Sequence, residues 1–130
     1  MKGFVDANLI LSDSQAVLGV DLPSTNAVGL PEALLGEGHP LYLHIAVDVA
    51  FAGGTNINFE LQDAADNGSG APGTFAAMGI EKTVLTAALT ANTEIWRVAL
   101  PSDTRQWVRV LYDVTGTMTA GTIDAWISDH

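Results

Sequence analysis

Cysteine is absent from the 130 residues. That excludes disulfides, thiol nucleophiles and every zinc box built on thiolates. It leaves the compartment open. Cations are scarce: five Lys and Arg stand against fifteen Asp and Glu, for a formal net charge of −10. Phosphate backbones and anionic lipid repel such a chain, so no nucleic acid and no membrane are expected as partners. The charge is uneven, with ten acids and one base over residues 1–81 and five acids and four bases over 82–130. Solubility alone accounts for it, and a surface made for a basic partner is the other reading. Histidine is limited to His39, His44 and His130. They are too dispersed for a metal set of several His with a carboxylate, two of them close on one strand. No apolar run approaches the roughly 20 residues that span a bilayer, and Leu9–Leu11 is too short for the apolar core of an export signal.

What is present is alternation. Leu41, Leu43, Ile45, Val47, Val49 and Phe51 fall on one side of an extended chain. Tyr42, His44, Ala46, Asp48 and Ala50 fall on the other, the pattern of a strand with one buried face. Ile57, Phe59 and Leu61 repeat it, with Asn56, Asn58, Glu60 and Gln62 outward. The intervening Gly53-Gly54 predicts a hairpin joining the two. Further strands are expected at Gln15–Val20, Lys82–Leu89, Glu94–Leu100, Gln106–Val114 and Thr122–Ser128. Loops are expected at 63–73 and 116–121, and one helical turn at Pro31–Leu35. Charged residues make up only 15% of the chain and hydrophobic ones 48%, which argues against disorder. The expected fold is all-β: one domain over 1–130, an antiparallel two-sheet sandwich of jelly-roll type. Residues 1–30 form an extended arm or a sandwich edge.

Candidate chemistry is thin. Asp63, Asp66 and Asn67 resemble a calcium loop loosely, but lack the alternating oxygens and closing Glu of an EF-hand and read as turn formers. Asp48 in mid-strand needs water or a partner, and an ion pair with Arg97 or Arg109 would serve. No serine has the setting of a hydrolase nucleophile, and no Gly-rich loop fits a phosphate site. No enzyme activity and no cofactor are expected. Trp96 aligns with the core residues Val98 and Leu100. Trp107 and Trp126 lie opposite their strands' aliphatic faces. They point to an interface, to a sugar platform with Asp124 and Arg105, or to a second covered face.

Several short pieces, taken in order, carry a resemblance. They are Leu11-Ser12-Asp13-Ser14-Gln15-Ala16-Val17, Ser24-Thr25-Asn26, Gly38-His39-Pro40-Leu41-Tyr42, Val47-Asp48, Phe51 and Leu61-Gln62. Leu100-Pro101, Trp107-Val108-Arg109-Val110-Leu111-Tyr112 and Met118-Thr119-Ala120-Gly121 complete the series. Together they resemble the jelly-roll capsid cement, or decoration, proteins of tailed bacteriophages. The resemblance implies a structural virion protein on the outer capsid surface, made in the bacterial host cytoplasm. Its implied partners are the major capsid protein and itself, as a homodimer or a trimer, bracing adjoining capsomers. Expected capsid contacts are Phe4, Asp6, Leu9, Leu11 and Asp13 in the N-terminal segment. Asp63, Asp66 and Phe75 in the Gly-rich 63–79 loop are the others. Trp107, Arg109 and Trp126 are the expected oligomer contacts. A carbohydrate-binding or host-adhesion module is the alternative.

Overall fold

A computed structural model describes residues 9–19, 22–29, 41–101 and 104–128. Phe4, Asp6, His39, His130 and the expected turn at Pro31–Leu35 lie outside them. Among the described residues nine strands form: β1 (Ile10–Ala16), β2 (Leu22–Pro23), β3 (Val28–Gly29), β4 (Tyr42–Gly53) and β5 (Asn56–Ala64). The others are β6 (Ala76–Leu85), β7 (Thr93–Ala99), β8 (Trp107–Thr115) and β9 (Met118–Ser128). One sheet has the order β1-β9-β4-β7, and the other β2-β8-β5-β6 with β3 also on β8. All pairings are antiparallel. They nest: β5 with β6, β4 with β7, β2 and β3 with β8, β1 with β9. This is one long ribbon rolled up so that β9 meets β4 and β8 meets β5, which is jelly-roll topology. The tip of the ribbon is the loop between β5 and β6.

The core is what alternation dictates. Leu43, Ile45, Val47, Ile123, Ala125 and Ile127 from the first sheet meet Ile57, Phe59, Leu61, Val108, Val110 and Tyr112 from the second, all of them buried. Phe59 and Tyr112 pack edge to face at 5.7 Å. Beyond area burial, such a pair contributes about 1 kcal/mol.

Several expectations change. The β4–β5 hairpin does not exist, because the two strands belong to different sheets. Gly53 and Gly54, at φ 77° and 58°, carry the chain across the sandwich rather than back along one sheet. Both apolar faces still point to one core, so alternation alone could not separate the two arrangements. Val49 is 49% exposed. Its register with β9 is shifted on both sides, and these two bulges turn Val49 out and bring Phe51 back in. Residues 116–121 are not all loop, since β9 begins at Met118. Gly121 sits within it at φ 138°, and a Cβ there would stand 2.3 Å from the Phe51 ring. The glycine admits the ring; it does not end the strand. β5 runs to Ala64 and β6 starts at Ala76, which trims the expected 63–79 loop at both ends. The first strand is Ile10–Ala16 rather than Gln15–Val20, and β1, β2 and β3 lie at the sandwich edge.

Arg97 on β7 and Arg109 on β8 lie in different sheets, so they are not neighbours. Asp48 instead accepts hydrogen bonds from the Ser14 hydroxyl at 2.6 Å and the Thr122 hydroxyl at 3.4 Å. Ser14 occupies the β1 bulge at φ 50°, and its amide donates to Asp124 at 2.8 Å. Two carboxylates thus hold a strained residue in place.

Candidate interaction surface

The second sheet turns Asn56, Asn58, Glu60 and Gln62 of β5 outward, beside Trp107, Arg109, Leu111 and Asp113 of β8. Registers Asn58 to Asp113, Glu60 to Leu111 and Gln62 to Arg109 set the rows. On the far side Glu60 opposes Glu81, and Asn58 opposes Thr83. Side chains are tied across the strands. Arg109 Nε donates to Gln62 Oε1 at 2.7 Å, and Gln62 Nε2 donates to Glu60 Oε1 at 3.3 Å. Thr83 Oγ1 donates to Asn58 Oδ1 at 2.9 Å, and Asn58 Nδ2 to Glu81 Oε2 at 3.3 Å.

The ribbon tip folds onto the same face. Asp66 accepts from Trp107 Nε1 at 3.1 Å and from the Gly68 amide at 2.8 Å. The indole and loop amides hold its carboxyl below the ordinary 3.8. The Arg109 guanidinium lies 4.3 Å over the Phe75 ring. The Trp107 ring covers Gly29 of β3, where a side chain would meet it at 3.1 Å. Asp63 points to the end of the core instead. It accepts from Arg105 Nη2 at 2.9 Å and the Arg105 amide at 3.0 Å. Burial raises the Asp63 carboxyl, but the donors and charge of Arg105 outweigh that and hold it low.

Asp66, Phe75, Trp107 and Arg109 therefore form one patch, although the sequence assigned them to two different surfaces. Asp63 is tethered just behind it. Glu60, Gln62 and Glu81 complete the face, and none of them was among the expected contacts. Outward parity was legible for Glu60 and Gln62 alone, and the pairing with Glu81 was not, because cross-strand neighbours are non-local. Of the N-terminal candidates, Asp13 is exposed, Leu9 is half-buried against the core and Leu11 is fully buried in it. Leu11 is thus a packing residue, not a surface contact.

Trp126 is on the other sheet and 5% exposed. It stacks on His44 at 5.1 Å and 4° between planes, while His44 Nε2 meets the Ser128 hydroxyl at 2.9 Å. It is neither an exposed platform nor a neighbour of Trp107. The sugar-site groups are also engaged, with Asp124 on the Ser14 amide and Arg105 on Asp63. Among the described residues no group of three His, Asp or Glu is placed to hold a metal.

Some of the residues that carried the family resemblance, Ser12, Gln15, Ser24, Thr25, Asn26 and Tyr112, converge on the opposite edge. Tyr112 Oη donates to Ser12 Oγ at 2.7 Å, and Ser12 Oγ donates to Gln15 Oε1 at 2.6 Å. Gln15 Oε1 also accepts the Thr25 amide at 2.8 Å, and Gln15 Nε2 reaches the Pro23 carbonyl at 2.9 Å. Ser24 exchanges bonds with the Val110 backbone, and the Asn26 amide donates to the Leu11 carbonyl at 2.9 Å. This network closes the sandwich between β1 and β2. The sequence profile of the Bbp16 family matches residues 11–127, from the first core residue of β1 to the last of β9. The chain belongs to the Bbp16 family. No curated protein matches the sequence at a significant level. The Bbp16 match covers the closing network and the interaction face together, and so spans every described strand but the first residue of β1 and the last of β9.

Proposed function

We propose that this Bbp16-family chain is a capsid cement protein. It binds the outer surface of a tailed-phage shell and braces adjoining capsomers without enzymatic chemistry. The observation that carries the reading is the convergence of five of the resemblance residues. Ser12, Gln15, Ser24, Asn26 and Tyr112 form one network that fixes a jelly roll. A further support is the outer β8–β5–β6 face, whose side chains are already ordered by mutual hydrogen bonds. Such a face loses little conformational entropy on docking.

In this reading the protein acts as a homodimer or trimer at a symmetry axis. Modest contacts are then multiplied by simultaneous engagement of several shell subunits. The test is reconstitution. Shells prepared without the protein are incubated with it and sedimented. Saturable co-sedimentation and a raised shell disruption temperature are expected. No binding to intact shells would overturn the proposal. Glycan-dependent binding to host cells would favour the adhesion alternative.

A further inference from the structure

We propose that the outer β8–β5–β6 face docks an extended protein segment bearing lysine or arginine, seated across Glu60 and Glu81. Glu60 and Glu81 are paired directly across neighbouring strands on the outer face, and like charges at paired positions cost stability. Gln62 and Asn58 hold one oxygen of each, without neutralising either charge. A guanidinium or ammonium between them supplies that charge, and a guanidinium does so with matched geometry. Apolar surface flanks the pair. Leu111 lies beside Glu60, Leu85 at one end is 61% exposed, and the Trp107 indole is at the other. Long cationic side chains cover such surface with their stems while their heads reach the carboxylates.

The occupant is not a second copy of this chain. Lys82 donates to the Ile95 carbonyl, Arg97 covers Tyr42, Arg105 is paired with Asp63, and Arg109 is held by Gln62 and Phe75. No cation of the described residues is in reserve to complement the pair on another copy, and the chain's charge of −10 opposes bringing two such faces together. A basic partner is drawn to the same face by the same charge. The inference rests on the cement reading only for the identity of that partner.

The test titrates the isotope-labelled full chain with a short peptide alternating glycine with lysine or arginine, followed by NMR. Amide shifts are expected to cluster on β5, β6 and β8. The Glu60→Gln/Glu81→Gln variant is expected to bind about tenfold more weakly. Its melting temperature is expected to stay level or rise, because the repulsion is gone. Shifts centred on Asp48 and Asp124, or affinity unchanged in the variant, would overturn the proposal. So would equal shifts with magnesium chloride at matched ionic strength, which would indicate a cation site instead. A change of oligomer size in the variant would assign the face to self-association. Failure here leaves shell binding untouched, and absence of the protein from shells leaves peptide binding untouched.

Discussion

Ser12 of β1 and Tyr112 of β8 meet hydroxyl to hydroxyl at 2.7 Å, joining the two sheets through the interior. Both residues are fully buried. Burial pushes the Tyr112 phenol well above its ordinary pKa, so it stays a donor throughout the working range. Tyr112→Phe removes one buried hydrogen bond and is expected to cost about 1 kcal/mol. Ser12→Ala strands the phenol in the core and is expected to cost roughly 1–3 kcal/mol. The double variant is expected to cost less than the sum, since each change removes the same bond. Urea unfolding of the three variants checks this, and strict additivity would contradict the contact.

Gly121 of β9 lies against the Phe51 ring of β4 with no room for a side chain. Gly121→Ala places a methyl 2.3 Å from the ring at a backbone angle of 138°. Overpacking and backbone strain add, for a loss of about 3 kcal/mol or more. Thermal unfolding measures it. Phe51→Ala in the Gly121→Ala background is expected to recover part of the overpacking cost, and no recovery would mean that strain alone dominates.

Acid should loosen the ribbon tip. The carboxyls of Asp63 and Asp66 both sit below their ordinary value of 3.8 in the folded chain. Their contribution to stability is therefore complete above that value and is lost as pH falls through the lowered folded values. Asp63→Asn is expected to flatten the acid limb of the stability profile while leaving the neutral limb lower. Denaturant midpoints from pH 7 downward test it, and an unchanged acid limb would contradict the Asp63–Arg105 clamp.

Lys82 guards an edge. β6 ends its sheet, and Lys82 Nζ reaches across to the Ile95 carbonyl of β7 at 2.8 Å. A charge at this position keeps an open strand edge from pairing with another. Lys82→Val is expected to change stability by under about 1 kcal/mol yet to raise self-association in light scattering. A monodisperse variant would assign the edge protection elsewhere.

Much of the fold was legible in local pattern. Val108, Val110, Tyr112 and Val114 alternate without interruption, and their strand and its core face follow from that. Alternation fixes faces but not partners, so β4 and β5 read as a hairpin when they belong to opposite sheets. Gly121 read as part of a loop because a sequence cannot show the aromatic ring that requires it. The candidate surface was half visible. Trp107, Arg109, Asp66 and Phe75 were each picked out, but their union depends on the ribbon tip folding onto β8. Glu60 and Glu81 were hidden because their opposition is a matter of register.

This protein is proposed to act as a shell-wide cement. The most direct test of that role is the copy number of this protein in purified phage particles from its source, by quantitative mass spectrometry against the major capsid protein. Copies in the hundreds are expected, near parity with the shell subunit. A handful of copies would point to a tail or vertex component, and absence from the particles would contradict the account.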